Sequence, residues 1–596
     1  MDKTQFYNGN VFDAYNYMGA HCVDGGVRFL TYAPNAERIN IIGEFSDWQE
    51  YAMYRDGTSD FFSVTLENAK PWQMYKYVIY GADGQRREHC DPYGRYMELR
   101  PGSCSIIVPE SDFEFDDDDW ISSRSLNFDR PMNIYELHLG SWKKPSDDES
   151  DWYSYDELSE MLPEYLSESG YTHVEFMPLA EHPFDGSWGY QNTGFFAPTS
   201  RYGKPDGLKK LVNELHKANI GVIMDFVPVH FAVDGYGLSN YGGEPFYEYP
   251  NKDVGISEWG SCNFIHSRRE VQCFLQSAAD YWLSQFHFDG LRYDAVSRLI
   301  YWQGDERRGV NEVALDFLKK MNKGLKMRHP TAMLIAEDST DFVKVTAPVE
   351  YGGLGFDYKW DLGWMHDTLE YFQTAPEYRS RDYHKLTFSM MYNYSEHFVL
   401  ELSHDECVHG KATVLQKMWG DYEKKFPQAR AMYTYMMLHP GKKLNFMGYE
   451  FGQLREWDEK HEQDWFMRKY PLHDSFYEYI KELNLMYRDY DCLRFDCVPD
   501  NFEWIDCDNA QNCIYAFRRK GRDFDIAAVF NFSDKPKKYE FMAKDSIKAE
   551  CILYSDRDIY SGKTPLSDIE CKFNKLRRSV AVGLAPFSAM VIKLKH

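Results

Sequence analysis

Eight short, nearly continuous apolar runs lie between residues 132 and 452, and helical patterns separate several of them. They are "MNIYELHLG" (132–140), "THVEFMPL" (172–179), "GVIMDFVPV" (221–229), "FDGLRYDAV" (288–296), "AMLIAED" (332–338), "LGFDYKW" (354–360), "FVLELSHDE" (398–406) and "KLNFMGYEFG" (443–452). In "DGLKKLVNELHKANI", Leu208, Leu211, Val212 and Leu215 fall at i, i+3, i+4 and i+7, the stripe of an amphipathic helix. "REVQCFLQSAADYWLSQF" is patterned the same way. Eight such strands with intervening helices predict a (β/α)8 barrel. An open doubly wound sheet is the alternative, but it more often carries a glycine fingerprint near its first strand, and none is present.

A chain of 596 residues is too long for one core, and the texture changes on both sides of the barrel. Residues 1–120 hold "VRFLTYAP", "RINIIGEF", "FFSVTLE" and "YKYVIYGADGQ", with a hairpin signal at Asp83-Gly84. An N-terminal β-sandwich is expected there. The acidic run Asp116 to Asp119 reads as a solvated linker into a barrel domain over 121–488. Residues 489–596 alternate again in "CIYAFRRKG", "DIAAVFNFS" and "VAVGLAPFSAMVIKL", which predicts a C-terminal antiparallel β-sandwich.

The net charge of −26 argues against a nucleic-acid or anionic-membrane partner, since both need a basic face. Aromatics make up 17%, enough for large cores and for platforms on which sugar rings stack. The twelve cysteines include no C-x-x-C pair, so zinc and thiol-redox motifs are not expected. Reduced structural thiols, no signal peptide and no run of about 18 apolar residues point to a cytoplasmic protein without a membrane span.

In a (β/α)8 barrel the active site lies at the C-terminal ends of the strands. Here the third strand ends in Asp225 and, five residues on, His230. The fourth carries Arg292 and Asp294, two apart and so on one side of a strand. The fifth ends in Glu337 and Asp338, the seventh in His404, Asp405 and Glu406. Any one of these acids alone is best read as a helix cap, and Arg292 or a histidine alone as an ion-pair or packing residue. Acids on four separate strand ends exceed what capping explains. Carboxylates without metal-ligand spacing fit glycosidic-bond cleavage, with one acid on the leaving oxygen and one carboxylate on the opposite ring face. A third can steady developing positive charge. An arginine beside the nucleophile keeps it ionised.

"DFVPVH", "GLRYDAV", "AED" and "LSHDE" are similar, in order, to the four short motifs of the α-amylase superfamily, glycoside hydrolase family 13. Within it the chain more closely resembles the 1,4-α-glucan branching enzymes. That likeness rests on "YELHLGSW" (135–142), "GYTHVEFMPLAEHPFDGSWGYQNTGFFAPTSRYG" (170–203), "GGLGFDYKWDLGWMHDTL" (352–369), "LSHDECVHGK" (402–411) and "MGYEFGQ" (447–453). The N-terminal sandwich resembles a family 48 carbohydrate-binding module. By this resemblance Asp294 is the nucleophile, Glu337 the general acid/base and Asp405 the third carboxylate. Tyr190, Asp225, His230, Arg292 and His404 then line the same sugar subsite, with Tyr190 stacked under the ring. The implied reaction is retaining: an α-1,4 bond is cut, a glucosyl-enzyme forms on Asp294, and a glucan 6-hydroxyl resolves it as an α-1,6 branch. The two carboxyl groups should then stand about 5–5.5 Å apart.

The implied partner is an α-glucan polymer (glycogen, amylose or amylopectin), handled by a monomer or weak homo-oligomer without a cofactor. No metal site is expected, because Val229 stands where calcium-binding relatives carry Asn. The alternatives are a hydrolase of the same superfamily, debranching or trehalose-releasing, and an inactive glycan-binding protein. The chain also departs from the family motifs. Asn192 follows "WGYQ" in place of Pro, Asp361 replaces Asn after "FDYKW", Asp338 replaces the second Glu of "AEE", and Tyr449 replaces Asn in "MGNEFGQ". His266 and Ser267 stand for Tyr and Gly, and Arg86 takes the place of a sugar-binding Trp in the N-terminal module.

Overall fold

Eight parallel strands close into a barrel, in chain order, in a computed structural model that describes residues 2–596. They are β1 (Asn133–Leu137), β2 (His173–Phe176), β3 (Gly221–Phe226), β4 (Gly290–Tyr293), β5 (Met333–Ala336), β6 (Tyr358–Trp360), β7 (Phe398–Leu402) and β8 (Lys442–Phe446). Every residue of these strands is buried, as near-continuous apolar runs require of strands covered on both faces. The strands are shorter than the apolar runs that announced them; in the fifth and seventh, the polar residues at the run's end have already left the ladder for a loop.

The chain divides into two compact units, Met1–Ser125 with His138–Pro163 and Glu175–Asp357, and Leu126–Leu137 with Glu164–Val174 and Tyr358–His596. In the first unit, β3 and β4 pair with Asp225 opposite Arg292, and β4 and β5 pair with Arg292 opposite Ile335. Gly290 is needed where β4 begins, since a Cβ there would come within 2.7 Å of the Met333 carbonyl oxygen. The stripe Leu208, Leu211, Val212 and Leu215 is buried on α1 (Pro205–Lys217), which opens with its proline where a missing N–H is harmless. The second predicted helix is α2 (Arg269–Gln285). A four-stranded sheet and a five-stranded sheet form the N-terminal sandwich. Its Asp83-Gly84 turn joins strands Met74–Gly81 and Arg86–His89, with Gly84 at φ +66°.

The acidic run is solvated at Asp116, Asp118 and Asp119, as expected of a linker, but Asp117 departs from that expectation. Asp117 is buried and accepts from His216 Nδ1 at 2.7 Å and from His287 Nδ1 at 3.0 Å. Asp116 pairs with Lys217 at 2.9 Å, and Trp120 donates to Asp289 at 2.9 Å. His216 and Lys217 on α1 and His287 before β4 hold Asp116 and Asp117, partners that the run's own charge does not reveal.

In the second unit, β8 pairs with β7 and β1. α3 (Leu362–Gln373) follows β6, α4 (Tyr422–Leu438) precedes β8, and α5 (Pro471–Asp489) follows it. The C-terminal sandwich packs a five-stranded against a three-stranded antiparallel sheet. Ile514, Val529, Phe541, Val580, Val582, Met590 and Ile592 form its core. All twelve cysteines are free thiols. Among the described residues, no helix is long and apolar enough to cross a membrane.

Candidate active site

Arg292 organises the site in the first unit. Alternation along β4 turns Arg292 and Asp294 to the same side. The guanidinium is fully buried, and its Nη1 donates to Asp225 Oδ2 at 2.5 Å and to Asp294 Oδ1 at 3.1 Å. Its Nη2 lies 2.9 Å from Glu337 Oε2. Burial opposes the charge, but Asp225 and Glu337, followed by Tyr190 and Asp294, hold the guanidinium well above its usual pKa. One planar fork thus fixes three carboxylates, a task a point charge such as lysine cannot share. Asp225 is in turn held by the Tyr190 hydroxyl, which donates to Oδ2 at 2.5 Å.

The two carboxylates expected to react are the exposed ones. The side chains of Asp294 and Glu337 are 14% and 20% exposed, whereas those of Arg292 and Asp225 are 1% exposed. The backbone aligns them as well. Asp294 N–H still bonds the Phe226 carbonyl at 3.0 Å, after which Ala295 turns into the left-handed region at φ +49°. That conformation costs an L-residue about 1–2 kcal/mol, and here it aims the Ala295 N–H at Glu337 Oε2, 2.9 Å away. Strain held next to reacting groups is a common mark of a functional site. His230 leaves β3 in a two-residue ladder with Asn263, and its Nε2 stands 3.8 Å from Asp294 Oδ2. Burial, aided by the charge of Arg298, drives its pKa down to about 3. The imidazole is therefore neutral at working pH and can meet a hydroxyl as donor or acceptor.

His404 and Asp405 belong to the second unit. β7 ends at Leu402, and a single helical turn, His404–Cys407, bends the chain away. Glu136 of β1 holds His404 twice, by accepting from its N–H at 2.8 Å and by pairing with Nδ1 at 2.5 Å. Its Nε2 lies 3.7 Å from Asp405 Oδ1, and the Asp405 side chain is 48% exposed. Glu406 pairs with Lys411 and Lys417, each at 3.8 Å, and anchors the loop. Tyr449, one of the motif departures, donates to the Ser403 carbonyl at 3.0 Å just before the bend. Asp338, another, accepts from the Thr340 hydroxyl at 2.9 Å within its own loop.

The first-unit cluster thus joins Tyr190, Asp225, His230, Arg292, Asp294 and Glu337, and the second unit joins His404 to Asp405. Sequence reasoning missed Glu136, although an acid inside the apolar run "NIYEL" was a signal for it. It also missed Trp259, whose ring lies 5.2 Å from that of His230, since a loop tryptophan has no periodicity to betray it. Among the described residues, no group of three or more His, Cys, Asp or Glu could hold a metal ion.

Residues 17–94 match the family model of carbohydrate-binding module 48 (isoamylase N-terminal domain), and residues 504–595 match the alpha amylase C-terminal all-beta domain. The chain is 45% identical over 556 residues to 1,4-alpha-glucan branching enzyme GlgB 1 of Clostridium perfringens (strain SM101 / Type A), covering 90% of this chain and 82% of that protein. It is 40% identical over 608 residues to 1,4-alpha-glucan branching enzyme GlgB of Fusobacterium nucleatum subsp. nucleatum, covering 100% and 99%. Among solved structures, a pullulanase from Anoxybacillus sp. LM18-11, complexed with maltotetraose, is similar with a TM-score of 0.73 at 16% identity, over 99% of this chain and 89% of that one. That last likeness is one of fold.

Proposed function

Since the chain belongs to the 1,4-α-glucan branching enzymes, we propose that it cuts α-1,4-linked glucan and transfers the freed segment to a 6-hydroxyl, making α-1,6 branches by a retaining double displacement. The observation that carries the mechanism is the Arg292 fork, which holds Asp294 and Glu337 on its two terminal nitrogens while both acids keep an exposed edge.

In the first step an Asp294 oxygen attacks the anomeric carbon, and the bond to the departing O4 breaks as Glu337 gives that oxygen its proton. In the second, Glu337 takes the proton of an acceptor 6-hydroxyl. That oxygen attacks the anomeric carbon and releases Asp294 as carboxylate. Two inversions restore the α configuration. Asp405 acts as the third carboxylate. It binds ring hydroxyls and steadies positive charge as the sugar approaches its oxocarbenium-like transition state. His230 and His404 serve as ligands to sugar hydroxyls, Tyr190 stacks beneath the ring seated on Asp294, and Asp225 fixes Tyr190 and Arg292.

A hydrolase of the same superfamily is the second reading. What favours it, the likeness to pullulanases, is one of fold at 16% identity, whereas the relatives at 40–45% are branching enzymes. The substrate follows as an α-glucan such as glycogen, amylose or amylopectin. A cytoplasmic monomer or weak homo-oligomer without nucleic-acid partners, divided at residues 120 and 488, completes the proposal, and the net charge of −26 supports its exclusion of nucleic acid.

The test is incubation with amylose, following iodine colour and reducing ends together. Branching shortens the helices that bind iodine without creating chain ends, so colour falls while reducing ends stay flat. Colour loss with a steady rise in reducing ends would refute transfer and favour hydrolysis.

A further inference from the structure

Trp259 lies in the loop between β3 and α2 and is 48% exposed, a large apolar surface left open one side chain away from the nucleophile. Its ring centre is 5.2 Å from that of His230, whose Nε2 is 3.8 Å from Asp294 Oδ2. The surroundings hold the indole firmly. The guanidinium carbon of Arg298 stands 4.2 Å from the ring centre. Arg298 is tied to Glu258 at 2.5 Å and to Gln303 at 3.1 Å. Gln303 sits in the left-handed region at φ +58°, and its side-chain amide donates to the carbonyls of Asp253 and Ile256 at 2.9 and 3.0 Å. Gln191, next to Tyr190, donates to the Trp259 carbonyl at 3.3 Å and joins the two loops.

An exposed aromatic this well fixed is preorganised for something flat and partly apolar. The C–H face of a glucose ring fits that description, and the charged groups of Arg298 and Glu258 at the rim suit its hydroxyls. We propose that Trp259, with Arg298 packed against it, is a stacking subsite for the glucose unit adjoining the one seated on Asp294. Its role is to hold the glucan chain in register with the catalytic pair. The identification of the chain as α-glucan rests on the function proposed above, while the stacking itself rests on the geometry.

The experiment compares Trp259→Ala, Trp259→Leu and Trp259→Phe with the unaltered enzyme. Initial rates of iodine-colour loss on amylose are read, because they respond to chain cleavage whether or not transfer follows. Trp259→Ala and Trp259→Leu should raise the amylose KM about tenfold, and Trp259→Phe should restore it to within about threefold, since a stacked aromatic face contributes that order of binding. Leucine keeps bulk without an aromatic face, so it stands in should alanine fail to fold. An unchanged KM in the leucine variant, or a phenylalanine variant as weak as leucine, would overturn the proposal. Should the unaltered enzyme raise reducing ends without branching, the function would fall, and the KM pattern would still decide the subsite.

Discussion

Asp361→Asn should stabilise the protein, and more so as pH rises. Asp361 caps α3 and is buried, accepting at Oδ1 from the Trp364 N–H and the Tyr392 hydroxyl, both at 2.9 Å. Its Oδ2 is buried without a hydrogen-bond partner among the described residues. Both carboxyl oxygens of Glu401 on β7 are in the same condition, and Glu401 is pushed well up in pKa, first by burial and then by Asp361. Burial likewise lifts Asp361 from 3.8 to about 6, against the pull of its two hydrogen bonds and of Lys359, while Asp367 pushes the same way as burial. A folded pKa above the unfolded one means the protonated form is favoured in the native state. Its stability contribution is complete below pH 3.8 and is lost as pH rises through about 6. At 1.36 kcal/mol per pKa unit, ionisation costs about 3 kcal/mol at pH 8 and roughly half that at pH 5. Asparagine caps a helix as well as aspartate does, keeps the Oδ1 acceptor and places an N–H2 where Oδ2 was orphaned. The assay is the thermal midpoint of both proteins at pH 5 and pH 8. The variant should melt higher at both, with the larger gap at pH 8. Equal midpoints at pH 8, or a gap that shrinks with pH, would mean that the Asp361 carboxylate is not destabilising.

Arg292→Lys should lower kcat/KM on amylose by on the order of 10²–10³-fold, because one ammonium cannot bridge Asp225, Asp294 and Glu337; a loss under threefold would remove the fork from the mechanism. Glu136→Gln should cut kcat about ten- to a hundredfold through a loosened His404, with the thermal midpoint little changed, since a charge-assisted hydrogen bond of about 1.5–3 kcal/mol is replaced by a neutral one. His216 offers a second pH reading. Burial works against its charge, yet Asp289 and Asp117 raise its pKa to about 9. Its contribution is complete below its ordinary 6.5 and is lost as pH rises through about 9, worth up to about 3 kcal/mol. The thermal midpoint should therefore fall between pH 7 and pH 10, and His216→Gln should flatten that decline.

The barrel was legible because a strand covered on both faces must be apolar throughout, and eight such runs alternate with helical stripes. The first-unit acids were legible for the complementary reason, that polar residues closing an apolar strand need a task. Residues whose role depends on a partner far along the chain were not. Nothing local in Asp116 to Asp119 says that His216, 99 positions beyond Asp117, will bury it. Glu136 reads as one acid in a strand until His404, 268 positions away, is seen on it. The left-handed turn at Ala295 has no signature either, since the residues that favour that conformation are glycine, asparagine and aspartate. Asp361 was visible as a motif departure, but its meaning lies in Glu401 and in an oxygen left without a partner.

The covalent glucosyl-enzyme on Asp294 can be read directly. A Glu337→Gln variant is given α-maltosyl fluoride, whose fluoride leaves without an acid, so the first step proceeds while the second lacks its base. Tryptic digestion isolates residues 293–298, in which Asp294 is the only side-chain carboxylate. A maltosyl adduct is expected on that peptide. Fluoride release with the sugar instead on the peptide that carries Asp405, or with no adduct on any peptide, would contradict it.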